Sequence, residues 1–262
     1  MLVSRARRAL VPLLITGGLV AASAGCVEIT SDPEATGLVI PSAPTLRATR
    51  PLATGRPTPS AITPTTPTST SSAKLTASVN AATADGVRHT YRPDGPVGPS
   101  DLRTITMTCR TYEGQVRTGV LIVATTHVET VVDVFRQAFD AGFRINRMDN
   151  PNLWNGDDEQ MTAADNTSAF NCRPVAGKPS KLSPHSYGTA IDVNTRRNPS
   201  RAAPDVWYPA NGVRWVDRSL DDVGMIRSSS ALTTAVLAAG GTWGGGRPYP
   251  CYEHFELDGR LA

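Results

Sequence analysis

Two short stretches hold residues whose types and spacing suit metal-assisted hydrolysis. The first runs Ser183-Pro184-His185-Ser186-Tyr187-Gly188-Thr189-Ala190-Ile191-Asp192, and the second runs Tyr252-Glu253-His254-Phe255-Glu256. Two imidazoles and one carboxylate form the ligand set of a catalytic zinc ion, which takes three protein donors and keeps one position open. His185 and Asp192 stand seven positions apart, so on one straight strand they would face opposite sides. They converge only if the chain turns between them, and Gly188 suits such a turn. Asp192 at a strand end and His254 on a neighbouring strand would complete the three ligands: His185, Asp192 and His254.

Other chemistries find no support. There is no glycine-rich phosphate loop, no Gly-x-Ser-x-Gly elbow and no His-Glu-x-x-His pair. A net charge of +3 without a clustered Lys/Arg helix argues against nucleic acid as a partner. The acids near Asn155-Gly156-Asp157-Asp158 lack the spacing of a calcium loop and read as a solvated turn.

The elements that must position these residues begin near Asp85, where composition becomes globular. Leu102 to Cys109 alternates and is rich in β-branched residues, which predicts a strand; Thr118 to Ala124 predicts a second, and Tyr112-Glu113-Gly114 a turn between them. Thr126 with Glu129 forms a capping box for a helix carrying Val128, Val131, Val132, Phe135, Ala138 and Phe139 on one face, closed by Gly142. Phe143 to Ile145 suggests a short strand, residues 152 to 165 a polar loop, and residues 166 to 175 a strand. Ala190 to Val193 reads as a strand, followed by a Pro- and Arg-rich insertion over 194 to 214. A second helix spans Ala231 to Ala239, Gly244 to Gly246 form a flexible loop, and Tyr252 to Leu257 is a final strand. The mixture predicts an α+β fold, a largely antiparallel sheet with helices packed on it.

The N-terminal third is organised differently. Residues 1–25 read as a secretory signal: Arg5, Arg7 and Arg8 precede an apolar run, and Ala22-Ser23-Ala24 is a small-residue cleavage site. Ser23-Ala24-Gly25-Cys26 resembles a bacterial lipobox, in which Cys26 becomes the lipidated terminus, although Ser23 stands where Leu is more usual. Such a lipid would anchor the protein to the outer face of a membrane; the alternative is ordinary cleavage and secretion to the cell wall. Residues 26–85 form a Pro/Thr/Ser-rich linker that lacks the apolar periodicity to repay ordering, so it is expected to be disordered. Residues 86–262 form the folded domain. An exported chain meets an oxidising compartment, so Cys109, Cys172 and Cys251 predict one disulfide and one free thiol.

The pattern Ser-x-His-x-x-Gly-x-Ala-x-Asp, followed about 60 residues later by His-Phe, resembles the zinc D-alanyl-D-alanine carboxypeptidases. Their relatives include L-alanyl-D-glutamate peptidases and the amino-terminal domain of hedgehog. The run Asp165 to Arg173, with Val131 to Phe143, Gly156-Asp157-Asp158 and Gly240-Gly241-Thr242-Trp243, resembles the actinobacterial carboxypeptidase-like branch. The resemblance implies that His185, Asp192 and His254 bind Zn2+, that Arg173 stabilises the developing oxyanion, and that Ser183 lies near the substrate. It also implies peptidoglycan stem peptides as substrate. Cys172 belongs to the family-like stretch, whereas Cys109 and Cys251 look like additions, so a Cys109–Cys251 bridge is expected.

One position departs from the family. An acid usually stands three residues before the last histidine and acts as general base, and here that residue is Cys251. Glu256 and Glu253 are the nearby carboxylates that would replace it. Two readings follow: an active peptidase, either carboxypeptidase or endopeptidase, or a catalytically impaired zinc-binding homologue that binds cell-wall peptide or a protein partner.

Overall fold

The computed structural model of the chain describes residues 73–259. The signal segment, Cys26 and the linker up to residue 72 lie outside the described residues. In chain order, strands β1 (Ala77–Ala81), β2 (Leu102–Arg110) and β3 (Val116–Ala124) precede helices α1 (Val128–Asp140) and α2 (Asp158–Ala163). Strands β4 (Pro174–Val175), β5 (Lys178–Leu182), β6 (Ala190–Asp192), β7 (Ser200–Ala203) and β8 (Val206–Tyr208) follow. Helix α3 (Ala231–Ala238) and strands β9 (Thr242–Trp243) and β10 (His254–Glu256) close the domain.

β1, β2 and β3 form one antiparallel sheet, and β6, β10 and β9 a second, with β10 central. β4–β5 and β7–β8 are separate antiparallel pairs. The expected α+β architecture is therefore present. Period-two alternation sends Ile105, Met107 and Cys109 of β2 to the same side. There they meet Val131, Val134, Phe135 and Ala138 of α1 and Leu232, Ala235 and Val236 of α3. Ile191, Phe255 and Leu257 belong to the same core, so the helices bind both sheets into one unit. β3 ends in the unbroken buried run Leu121-Ile122-Val123-Ala124, because its other face is covered too. Ile122 packs there with Val87, Leu102, Phe170 and Cys172.

Several expectations are corrected. The linker ends before residue 85: Ala77–Ala81 is an edge strand whose backbone pairs with β2 from Met107 to Arg103. Its side chains are all exposed, so backbone pairing and not apolar burial orders it, a contribution that hydrophobic periodicity does not register. α1 starts after a 3₁₀ turn at Thr125–His127, and no side chain caps it; Thr125 instead donates its hydroxyl to Asp101 O. The polar loop contains α2, capped by Asp157, whose Oδ1 accepts from Gln160 N at 3.0 Å and whose Oδ2 accepts from Gln160 Nε2 at 2.7 Å. Residues 166 to 173 make only isolated bridges to other segments, and the insertion folds into the β7–β8 hairpin. That hairpin packs on the approach to β10: Ser200 bridges Cys251, Arg201 N donates to Pro250 O at 2.8 Å, and Trp207 stacks on Tyr252.

The expected Cys109–Cys251 bridge is not formed. Cys109 is a free thiol turned by the β2 alternation into the core beneath α1, and burial pushes its pKa up to about 11. Cys251 instead lies in the turn before β10, with its backbone N donating to Gly244 O. Cys172 is free and buried in the second cluster.

Phe135 is the largest α1 side chain in the shared core and is 2% exposed. Phe135→Ala is expected to lower unfolding free energy by about 3–5 kcal/mol. Urea denaturation checks this, and a loss below about 1 kcal/mol would contradict the packing described.

Candidate metal centre

His185 sits in a 3₁₀ turn, Pro184–Tyr187, that follows directly from β5. Ser183 caps this turn, its Oγ accepting from His185 N, and Gly188 ends it in the left-handed region at φ +68°. The Gly188 position also lies against β3: an added Cβ would stand 2.7 Å from Ala124 N, and Gly188 O accepts from that same N–H at 2.9 Å. The turn therefore needs glycine for both its backbone angle and its close approach. It reverses the chain so that β6 runs back towards β10, where Asp192 pairs directly opposite His254. Opposed residues of an antiparallel pair hold their side chains side by side. Asp192 is fixed on its other edge by two backbone hydrogen bonds with Ser168, each 2.9 Å.

The three expected ligands meet. His185 Nε2 lies 3.0 Å from Asp192 Oδ2 and 3.3 Å from His254 Nδ1, and His254 Nδ1 lies 2.9 Å from Asp192 Oδ1. One donor atom from each residue falls within a 4.8 Å span. A tetrahedral zinc ion with bonds of about 2.0–2.1 Å needs donors roughly 3.3 Å apart, which these separations approach. The outer ring atoms are also engaged. His185 Nδ1 is 2.6 Å from Ala169 O, a carbonyl that can only accept, so Nδ1 carries the proton and Nε2 offers its lone pair inward. His254 Nε2 is 3.3 Å from Glu256 Oε1, which suits the complementary tautomer with Nδ1 turned inward. Two nitrogen lone pairs and a carboxylate aimed at one point repel each other unless a cation sits between them, so the residues fit zinc.

The electrostatics agree with a site built for positive charge. Where protons stand in for an ion and the rings turn N–H groups inward, burial opposes ionisation of Asp192, but the His185 charge and hydrogen bonds from both histidines outweigh it and hold its pKa well below the carboxylate range. Burial likewise opposes the charged form of His254, yet Asp192 and Glu256 raise its pKa to about 9. A metal ion would displace that proton and take over the same stabilising partners.

The remaining residues singled out in the sequence are placed as follows. Ser183 is buried, and its hydroxyl serves the turn. Arg173 is 8% exposed, and its backbone is stapled to the His185 turn: Arg173 O accepts from Ser183 N at 3.0 Å and from Ser186 Oγ at 2.9 Å, while its N–H donates to Ser186 Oγ at 3.0 Å. Glu256 stands at the outer edge of the His254 ring and pairs with Arg247 at 3.1 Å. This geometry makes it an orienter of His254 and puts the ring between it and the ligand cluster. Glu253 is buried with Ser200 as a side-chain partner and with Cys251 Sγ 3.8 Å away; burial, then the charge of Asp192, drive its pKa well above the usual range. Neither carboxylate hydrogen-bonds to the inner donor atoms of the cluster among the described residues.

Sequence reasoning missed Asp158. Its Oδ1 lies 3.0 Å from Arg173 Nη2, and both side chains are about one-tenth exposed. The signal that would have found it is Asp157 as an N-cap, which turns the polar stretch into a helix start and moves Asp158 from a solvated turn to the first residue of α2. The Ala169 carbonyl could not have been read, because a backbone acceptor leaves no trace in residue type.

Glu256→Gln keeps a hydrogen-bonding side chain but removes the charge behind His254. Zinc affinity, measured by competition with a chelating dye, is expected to fall about 10–100-fold. An unchanged affinity would show that Glu256 does not support the ligand.

Comparison with known proteins places this geometry in context. Residues 176–257 match the family model described as D-alanyl-D-alanine carboxypeptidase. No curated protein and no solved structure matches the chain. The matched segment contains His185, Asp192 and His254, whereas Asp158 and Arg173 precede it. Over that segment, which carries the three convergent ligands, the chain is similar to the D-alanyl-D-alanine carboxypeptidase family.

Proposed function

We propose that the chain is an exported zinc peptidase acting on the peptide stem of bacterial peptidoglycan, as a D,D-carboxypeptidase or an endopeptidase. The observation that carries this reading is the convergence of His185, Asp192 and His254 within a segment of the peptidase family. The signal-like N-terminus and the Pro/Thr/Ser-rich linker support it, since they suit a domain that reaches from a membrane into the cell wall. A lipid on Cys26 would hold the chain to the outer membrane face.

Bound zinc would polarise the scissile carbonyl and make the attacking water acidic. His185, Asp192 and His254 would hold the ion, with Ala169 O and Glu256 fixing the two imidazoles. Arg173 is pinned through its backbone beside His185 and its guanidinium is held by Asp158, so it would supply a fixed positive charge beside the reacting carbonyl. Such a charge stabilises oxyanion formation without reorganisation. Burial of the cluster strengthens each of these interactions.

A second reading is favoured by one observation. Cys251 occupies the position three residues before His254 where the family resemblance implies an acid. On that reading the domain keeps zinc and binds wall peptide or a protein partner without turnover.

The zinc-loaded protein incubated with muropeptides is expected to release D-alanine or a cut stem, and Arg173→Ala is expected to lower kcat about 10²–10³-fold. Zinc affinity should be unchanged in that variant. A parent that binds zinc and stem peptide but releases no product would contradict the first reading and support the second.

A further inference from the structure

The departure at Cys251 leaves a proton-transfer role without its usual owner. Hydrolysis of an amide needs a group that removes a proton from the attacking water and delivers one to the leaving amine. Glu256 lies behind the His254 ring, and Glu253 is packed towards Ser200 and Cys251. A third buried carboxylate stands on the Arg173 side of the site. Asp158 is held by α2, which Asp157 caps, and its side chain is 10% exposed. Its two oxygens are in different situations. Oδ1 accepts from Arg173 Nη2 at 3.0 Å, while Oδ2 is fully enclosed and has no hydrogen-bond partner.

An unpartnered carboxylate oxygen in an enclosed pocket is costly, and a fold that used Asp158 only to anchor Arg173 would gain by satisfying it. The charged groups that act on Asp158 are Arg173, Asp192 and His185, two of which belong to the ligand cluster. Burial raises the affinity of Asp158 for a proton, and Arg173 opposes this. A buried carboxylate whose proton affinity is raised is a better proton carrier than a fully solvated one.

We propose that Asp158 moves the proton in this hydrolysis: Oδ1 holds Arg173 on the substrate carbonyl, and Oδ2 accepts a proton from the attacking water and returns it to the leaving amine. The step balances without any further reagent. The water oxygen bonds to the carbonyl carbon as its proton passes to Oδ2. The carbon–nitrogen bond then breaks as that proton passes to nitrogen, giving a carboxylic acid and an amine, and transfer of the acid's proton to the amine leaves carboxylate and ammonium. This inference rests on the hydrolytic reading above.

The test compares the zinc-loaded parent with Asp158→Asn, Asp158→Ala and Asp158→Glu on muropeptides, with zinc affinity measured alongside by chelator competition. Asn can still accept from Arg173 but cannot take the proton. Asp158→Asn is expected to keep zinc affinity and KM within about twofold and to lose kcat by about 10²–10³-fold. Asp158→Ala should lose kcat and also raise KM, because Arg173 is released. Asp158→Glu returns a carboxylate to the pocket and should recover part of kcat, which keeps the proposal testable if the amide or alanine variant folds poorly. Near-parental kcat in Asp158→Asn with a loss confined to Asp158→Ala would reduce Asp158 to a positioning residue and overturn the proton role. Full activity in all three variants would overturn both parts while leaving the peptidase reading intact. A zinc-bound parent without turnover would overturn that reading and this inference together.

Discussion

Three electron-rich atoms from residues far apart in sequence are buried within about hydrogen-bonding distance of one another, and the rest of the domain is arranged around the cost of keeping them there. His185 Nε2, His254 Nδ1 and the Asp192 carboxylate lie 2.9–3.3 Å apart, and all three residues are less than one-tenth exposed. An uncompensated buried carboxylate costs several kcal/mol, and inward-facing imidazole lone pairs add to that repulsion. A divalent cation turns each of these liabilities into a bond.

The scaffold meets this constraint from two sides. The β6–β10 register sets Asp192 against His254, and their backbones are held by pairing that does not depend on the metal. The shared core under α1 and α3 includes Ile191 and Phe255, the neighbours of these ligands, so packing energy maintains the register. His185 arrives by the Gly188 turn, locked to β3 and to the Arg173 backbone. Ala169 O and Glu256 then set which nitrogen of each ring faces inward. The same main-chain bonds that position the His185 turn also hold the Arg173 backbone.

Much of this was legible in the residues. The ligand triad, the turn at Gly188, the β2–β3 hairpin and the apolar face of α1 follow from side-chain type and period, and side-chain patterns are what local sequence records. The parts that escaped are those in which the backbone does the work. β1 has five exposed side chains and is ordered by its pairing with β2. The 166–173 stretch contributes carbonyls and isolated bridges without a regular element. Asp158 was taken for a solvated acid because its burial comes from Arg173 and tertiary packing, which its polar neighbours do not reveal. The cysteine pairing failed because it was drawn from a family resemblance, whereas the β2 alternation sends Cys109 into the core with Ile105 and Met107, where it is a free thiol.

Cys251, three residues before His254, is disulfide-bonded and so has no thiolate to offer a zinc ion. The ion's protein donors are then two imidazoles and one carboxylate, with no sulfur. X-ray absorption at the zinc edge of the loaded protein measures this directly. The expected result is one zinc per chain with only nitrogen and oxygen neighbours at about 2.0–2.1 Å, including two imidazoles. A sulfur neighbour at about 2.3 Å, or no stoichiometric zinc at all, would contradict it.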